Sequence, residues 1–322
     1  MAALVGVAVA WGLSFVVIKD SVDTVAPSDL VGWRFTIAAV VLLVLRPRST
    51  MILDGPTLRS GAALGTLLGL GFLLCTHGMR TTSVVVAAFV VGTTVVFTPL
   101  VTRVWLRCAI RPRTRLAIGL AVLGLGLLTL RGTAAGGGAL LILLAALLWS
   151  VHLCALGRWV PADRGYPSTI VQLGTAALVA FGCGALTGQL PTPPAADELG
   201  AAFYLGAVAT AAAFWAVTWA QSRIDATTAA VLLTLEPVVG AAAGVVLLGE
   251  AVTPAAVAGV VLILAAGGLV AAPSTAAPVS QSVDASSSRR TVGGATVRNA
   301  SVTMAVSSSS ATVSRCTPSQ PR

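Results

Sequence analysis

The sequence predicts an all-α integral membrane protein of ten transmembrane helices, arranged as two inverted five-helix repeats. Three observations predict it. The 322 residues are 56% hydrophobic and only 10% charged, with a mean hydropathy of +0.93, where soluble domains carry about 25% charge. Apolar runs long enough to cross a hydrocarbon core of ~30 Å recur along the chain. Segments of the first half also find counterparts in the second.

The runs fall at 2–18, 28–45, 60–79, 83–106, 114–130, 138–157, 167–188, 199–220, 226–248 and 253–271. The first lacks a basic flank, so it reads as a first span rather than a cleaved signal peptide. The second begins after Pro27 and carries Arg34 about seven residues in, or roughly 10 Å at 1.5 Å per residue. Gly61, Gly65 and Gly69 recur four apart on the third, as Gly240 and Gly244 do on the ninth. Small residues at that interval let helices approach closely. Packing within one chain accounts for them; a homodimer is compatible with the pattern but not required by it. The fourth run is the least regular, because Pro99 removes a backbone N–H within it and Arg103 ends it.

The ninth run holds the most informative residue. Glu236, followed at once by Pro237, interrupts ATTAAVLLTLEPVVGAAAGVVLLGE. Counted from Ala226, Glu236 lies about 15 Å into the helix, near the bilayer midplane. A carboxylate there costs several kcal/mol unless protonated, paired or facing water, so it marks a functional site by default. Arg34 is its nearest nameable partner, either in a charge pair or as receiver of an anionic substrate group. Protonation of Glu236 at one membrane face and release at the other would carry a proton across.

Arginines orient the spans. With the N-terminus inside, the inner loops hold Arg46, Arg48, Arg59, Arg107, Arg111, Arg113, Arg115, Arg158, Arg164 and Arg223, and the outer ones only Lys19, Arg80 and Arg131. The positive-inside rule then places both termini in the cytoplasm of a multi-pass cell-membrane protein. These charges are topology signals; no basic face with nucleic-acid motifs occurs, so nucleic acid is not an expected partner. From 272 to 322 the composition turns to Ser, Thr, Ala and Pro, as in a disordered tail.

The duplication is legible in particular residues. Trp11 in VAVAWGLSFVVIK answers Trp149 in LLAALLWSVHLCALGR, 138 residues on. VAPSDLVGWRFTIAA answers GYPSTIVQLGTAA, and TTSVVVAAFVVGTTVVFTPLV answers ATTAAVLLTLEPVVGAAAG. Repeats at 1–131 and 132–271 each contain five spans, an odd number, so copies inserted in series lie in opposite orientations. The first repeat has no acid matching Glu236; the matching place falls near Val95 to Phe97.

Trp11, Trp149, Trp215 and Trp219, with Phe214 and Tyr204, are candidate cavity walls. Trp33, Trp105 and Trp159 sit nearer helix ends and fit an interface belt. Gln172 is a polar group in the seventh run without an evident partner. His77 and His152 lack acidic partners at ligand spacing, the five cysteines are scattered singly, and no phosphate-binding or catalytic motif occurs. No metal, cofactor or catalytic residue is expected.

WGLSFVVIK at 11–19, the Pro27, Leu30 and Arg34 pattern, TTAAVLLTLEPVVGAAAGVVLLGEAVTPAAVAG at 227–259 and the duplication together resemble the EamA-like branch of the drug/metabolite transporter superfamily. The resemblance covers residues 1–271. It implies two inverted five-helix units moving a small metabolite, amino acid or drug by alternating access, with export as the expected direction. Where Glu250 stands in the second repeat, the first carries Arg107-Cys108-Ala109-Ile110. Two other classes compete, a non-transporting membrane receptor or assembly subunit and an intramembrane enzyme. The duplication and the midplane acid argue against the first, and the missing motifs against the second.

Overall fold

The computed structural model describes residues 1–106, 112–130, 137–221, 232–233 and 235–271. The Ser/Thr-rich tail, Arg107 to Arg111, Arg131, Arg223 and the start of the ninth run lie outside the described residues. The helices are α1 (Ala2–Ser21), α2 (Pro27–Leu45), α3 (Gly55–Met79), α4 (Val84–Gly92), α5 (Thr94–Leu106), α6 (Pro112–Leu130), α7 (Gly137–Trp159) and α8 (Gly165–Leu186). There follow α9 (Leu199–Phe203), a π-helical stretch (Tyr204–Ala212), α10 (Ala213–Gln221), α11 (Leu235–Leu248) and α12 (Pro254–Ala271). Seven stretches are long and apolar enough to cross a bilayer, counting α4 with α5 and α9 through α10 as single spans. α11 is a shorter apolar helix because the beginning of its run is not described, and α12 carries a second short apolar segment.

These helices are apolar all round, as expected where one face meets lipid and the other meets protein. Val44, Val104, Leu178 and Val246 are accordingly exposed at 72–82%. Hydroxyls survive in this setting by folding back onto carbonyls of the preceding turn. Ser14 Oγ donates to Trp11 O at 2.6 Å, Thr98 Oγ1 to Thr94 O at 2.7 Å and Ser150 Oγ to Ala146 O at 2.8 Å.

Helix ends are finished by side chains. Asp54 accepts from the Thr57 N–H at 3.0 Å and starts α3. Hydrogen bonds from Thr57 hold its carboxyl below the usual carboxylate range. Arg164 reaches Asp54 at 3.3 Å. At the opposite end of α3, Lys19 Nζ donates to Met79 O at 2.8 Å and Arg80 O at 3.3 Å, satisfying carbonyls that the helix leaves free.

Most close packing joins the two halves of the chain. α3 packs on α7 and α8, α2 on α8 and the π-helical stretch, α1 on that stretch, α10 and α11, α4 on α7 and α11, α5 on α7, and α6 on α12. The glycines permit it. A Cβ on Gly65 would stand 2.5 Å from Gln172 O, and one on Gly69 would stand 3.0 Å from the Ala176 backbone, so α3 and α8 touch backbone to backbone. Gly65→Ala should therefore cost about 1–3 kcal/mol through overpacking, read as a lowered unfolding temperature in detergent, whereas Gly119→Ala, where a Cβ meets nothing, should be silent.

The fourth span breaks at a different place from the one expected. Pro99 sits inside α5, and the interruption comes earlier, where α4 ends at Gly92 and α5 begins at Thr94. Thr93 N–H donates to Val90 O at 3.1 Å and its Oγ1 to the same carbonyl at 2.5 Å, tightening the last turn of α4. Thr hydroxyls on either side of Pro99 fold back onto the helix: Thr98 donates to Thr94 O at 2.7 Å and Thr102 to Thr98 O at 2.8 Å.

Candidate functional site

The interrupted fourth span meets α11. A Cβ on Gly92 would stand 3.8 Å from Pro237 Cγ, so the break between α4 and α5 lies against Pro237 of α11. Pro237 lies in α11 directly after Glu236, and it brings no backbone N–H to that helix. Glu236 precedes it and is half-buried. Measured from Leu248, Glu236 lies about 18 Å down the helix, which agrees with the depth counted from the other end.

Arg34 is only 5% exposed, so it does not reach out to headgroups. Its Nε donates to Thr210 Oγ1 at 2.9 Å, and its Cζ stands 4.5 Å from the centre of the Phe72 ring and 5.9 Å from that of Phe35. Thr210 Oγ1 in turn donates to Leu205 O at 2.8 Å, five residues back, inside the π-helical stretch. Arg34 feels the charge of Glu236, with Cys75 and Tyr204 also within electrostatic range. A direct pair does not form between the two side chains, unlike Arg164, which reaches both Asp54 and Asp163. The guanidinium thus spends one of its five N–H donors on Thr210 and makes no direct contact with the acid.

Around this pair, α1 is fastened to the widened helix by two hydrogen bonds. Trp11 Nε1 donates to Ala209 O and Tyr204 Oη to Ala10 O, each at 2.8 Å. Trp11 also meets Phe214 edge-on at 6.3 Å. Trp149 stacks at a tilt on Phe72, 4.8 Å between centroids, and its Nε1 is sealed without a hydrogen-bond partner, a costly state for an indole N–H. Among the described residues the other sealed, unpartnered side-chain atom is Thr82 Oγ1. Glu236 is not in that condition, so its oxygens open on accessible space.

The structure brings together Arg34, Glu236, Pro237, Trp11, Tyr204 and, through Phe72, Trp149. It does not bring in the others. Trp215 is 52% exposed on the outside of α10, because it falls on the face opposite Val217, which packs with Leu4 and Val7. Trp219 lies in α10 with its side chain outside what is described. Gln172 has a partner after all: its Oε1 lies 2.8 Å from His152 Nε2, and its Nε2 donates to Ser168 Oγ at 3.1 Å, a buried network between α7 and α8. Trp105 and Trp159 pair edge-on at 5.6 Å near helix ends, while Trp33 donates to Thr192 O at 2.6 Å.

Two site residues escape sequence reasoning. Phe72 looks like any core aromatic until Arg34 lies over it. Thr210 carried a faint signal, being the lone Ser or Thr in the stretch 199–217. Among the described residues no group of three His, Cys, Asp or Glu gathers to hold a metal.

Apolar helices in mutual contact around a buried arginine and a half-buried carboxylate define a multi-pass helical membrane protein with a polar centre. The profile of the EamA-like transporter family matches this chain twice, over residues 1–130 and 136–271, and the chain belongs to that family. One similar crystal structure, titled only as a protein, superposes with a TM-score of 0.58 at 23% identity, covering 83% of this chain and 94% of its own, which speaks to the fold alone. Curated proteins yielded no match.

Proposed function

We propose that this protein is a secondary transporter that moves a small metabolite, amino acid or drug across the cytoplasmic membrane by alternating access, in the export direction, with Glu236 as the proton-coupling group. The carrying observation is the placement of a buried Arg34, with unspent donors, in the field of Glu236, where the broken fourth span meets Pro237. Interrupted helices at the meeting of two repeats supply substrate and ion sites in such transporters. The direction rests on the family resemblance alone.

The contact pattern supports ten spans in two inverted units. Numbering the apolar runs one to ten, the third packs on the seventh as the second packs on the eighth, and the third on the sixth as the first on the eighth. Likewise the fourth packs on the sixth as the first on the ninth, while second with seventh, fourth with ninth and fifth with tenth map onto themselves. Exchange of halves thus returns the same pairs. In this reading repeats 1–131 and 132–271 rock about the polar centre, both termini are cytoplasmic, and 272–322 is a tail.

A substrate screen in proteoliposomes with an imposed pH gradient tests the proposal. Counterflow of any substrate supports it, and a chemically altered product in the lumen would point to an enzyme instead. Trp149→Phe separates a binding role from packing. If the orphaned N–H awaits a substrate oxygen, the variant unfolds no earlier than wild type, since a sealed donor is removed, but its KM rises by about three- to tenfold. Unchanged KM would assign Trp149 to packing.

A further inference from the structure

We propose that Glu250 is a gate latch, holding α11 to the start of α4 across the two halves and letting go when that face of the protein opens. The inference rests on the alternating-access reading above. Its basis is direct geometry. Glu250 Oε1 accepts from the Val84 N–H at 2.6 Å and Oε2 from the Val85 N–H at 2.9 Å, while Ser83 Oγ accepts from Val86 N–H at 3.3 Å. The opening N–H groups of a nine-residue helix are therefore satisfied mainly by a carboxylate some 165 positions away. Charge-assisted bonds to a helix N-terminus are among the stronger ones available.

The chain is shaped for this contact. Gly249, at φ +65, turns the backbone back after α11, and the Glu250 N–H donates to Gly244 O at 3.2 Å. Gly244 leaves room for the carboxylate, since a Cβ there would stand 3.0 Å from both Glu250 Oε2 and Val84 Cβ. Below the cap the seam stays closed, with Gly240 against Ala88 at 3.1 Å and Gly92 against Pro237. In the first repeat the place matching Glu250 carries Arg107-Cys108-Ala109-Ile110, with no acid. The latch therefore belongs to one face only. An ordinary static cap would add stability without caring which face is open; a latch changes which face is open.

Cys75 is a native reporter for the difference. It is 3% exposed, packs in one cluster with Val84 and Met79, and lies within electrostatic range of Arg34 and Glu236. The test keeps Cys75, replaces Cys108, Cys154, Cys183 and Cys316 by Ser, and measures labelling by a membrane-impermeant maleimide from the side where α3 ends. Glu250→Gln should speed labelling by about tenfold, the shift that follows loss of a charged hydrogen bond. Gly244→Ala, which displaces the carboxylate without removing it, should act in the same direction more weakly, and Glu250→Asp should fall between Gln and wild type. Gly244→Ala and Glu250→Asp carry the test if the Gln variant does not fold. Unchanged labelling in the folded variants overturns the latch, as does labelling that rises only in proportion to lost thermal stability. No substrate is needed, so a wild type that transports nothing but responds to Glu250→Gln fails the transport proposal alone, and the reverse result fails the latch alone.

Discussion

Arg34→Lys should abolish substrate flux nearly as completely as Arg34→Met, although it keeps the positive charge. The guanidinium is used as a plane with a fork. One edge donates from Nε to Thr210 at 2.9 Å, one face lies 4.5 Å over Phe72, and the remaining N–H groups stay free beside Glu236. A Lys ammonium is a compact point charge that cannot bond Thr210, stack on Phe72 and present donors together. We expect a fall of about 100-fold or more in kcat/KM for both variants, corresponding to about 2.7 kcal/mol, measured as initial flux in proteoliposomes at matched protein content. Thr210→Val keeps the charge and removes only the oxygen that orients it, so its loss should be about tenfold or less. A Lys variant retaining half of wild-type flux would show that charge alone matters at this position.

Glu236→Gln should insert and exchange substrate across the membrane yet lose its response to a pH gradient. Glutamine mimics the protonated acid in shape and hydrogen bonding but cannot carry a proton. At one proton per substrate, a gradient of one pH unit is worth about 1.4 kcal/mol, or roughly tenfold accumulation. Wild type should approach that factor, and the variant should equilibrate its substrate without accumulation. The groups that face Glu236 electrostatically are Arg34 and Cys75. The double variant Arg34→Met with Glu236→Gln should cost less stability than the sum of the two single changes, because each charge lies in the other's field without direct contact. Gradient-driven accumulation by Glu236→Gln equal to wild type would move the coupling elsewhere.

The class of this protein was legible along the chain because burial in lipid selects composition directly. Long apolar runs, arginines between them and a duplicated pattern are one-dimensional signals, and the Glu236-Pro237 pair announced itself through the cost of a charge at that depth. Arg34 was also visible as a lone cation in an apolar run. Its actual partner was not visible. The Nε bond to Thr210 depends on an azimuth of two helices that no periodicity records, since helices apolar all round carry no stripe to orient them. For the same reason Trp215 and Trp11, alike in sequence, ended on opposite sides: one faces out at 52% exposure and the other bonds Ala209 O.

Helix breaks divided in the same way. Proline marks where a break is permitted, but the tertiary structure places the interruption at Gly92–Thr93, against Pro237, and keeps Pro99 inside α5. Glu250 is the plainest case. Along the chain it is an acid after a glycine at the end of a span. In space it caps a helix of the other half, because an unsatisfied helix N-terminus draws a carboxylate from whatever segment folding brings near.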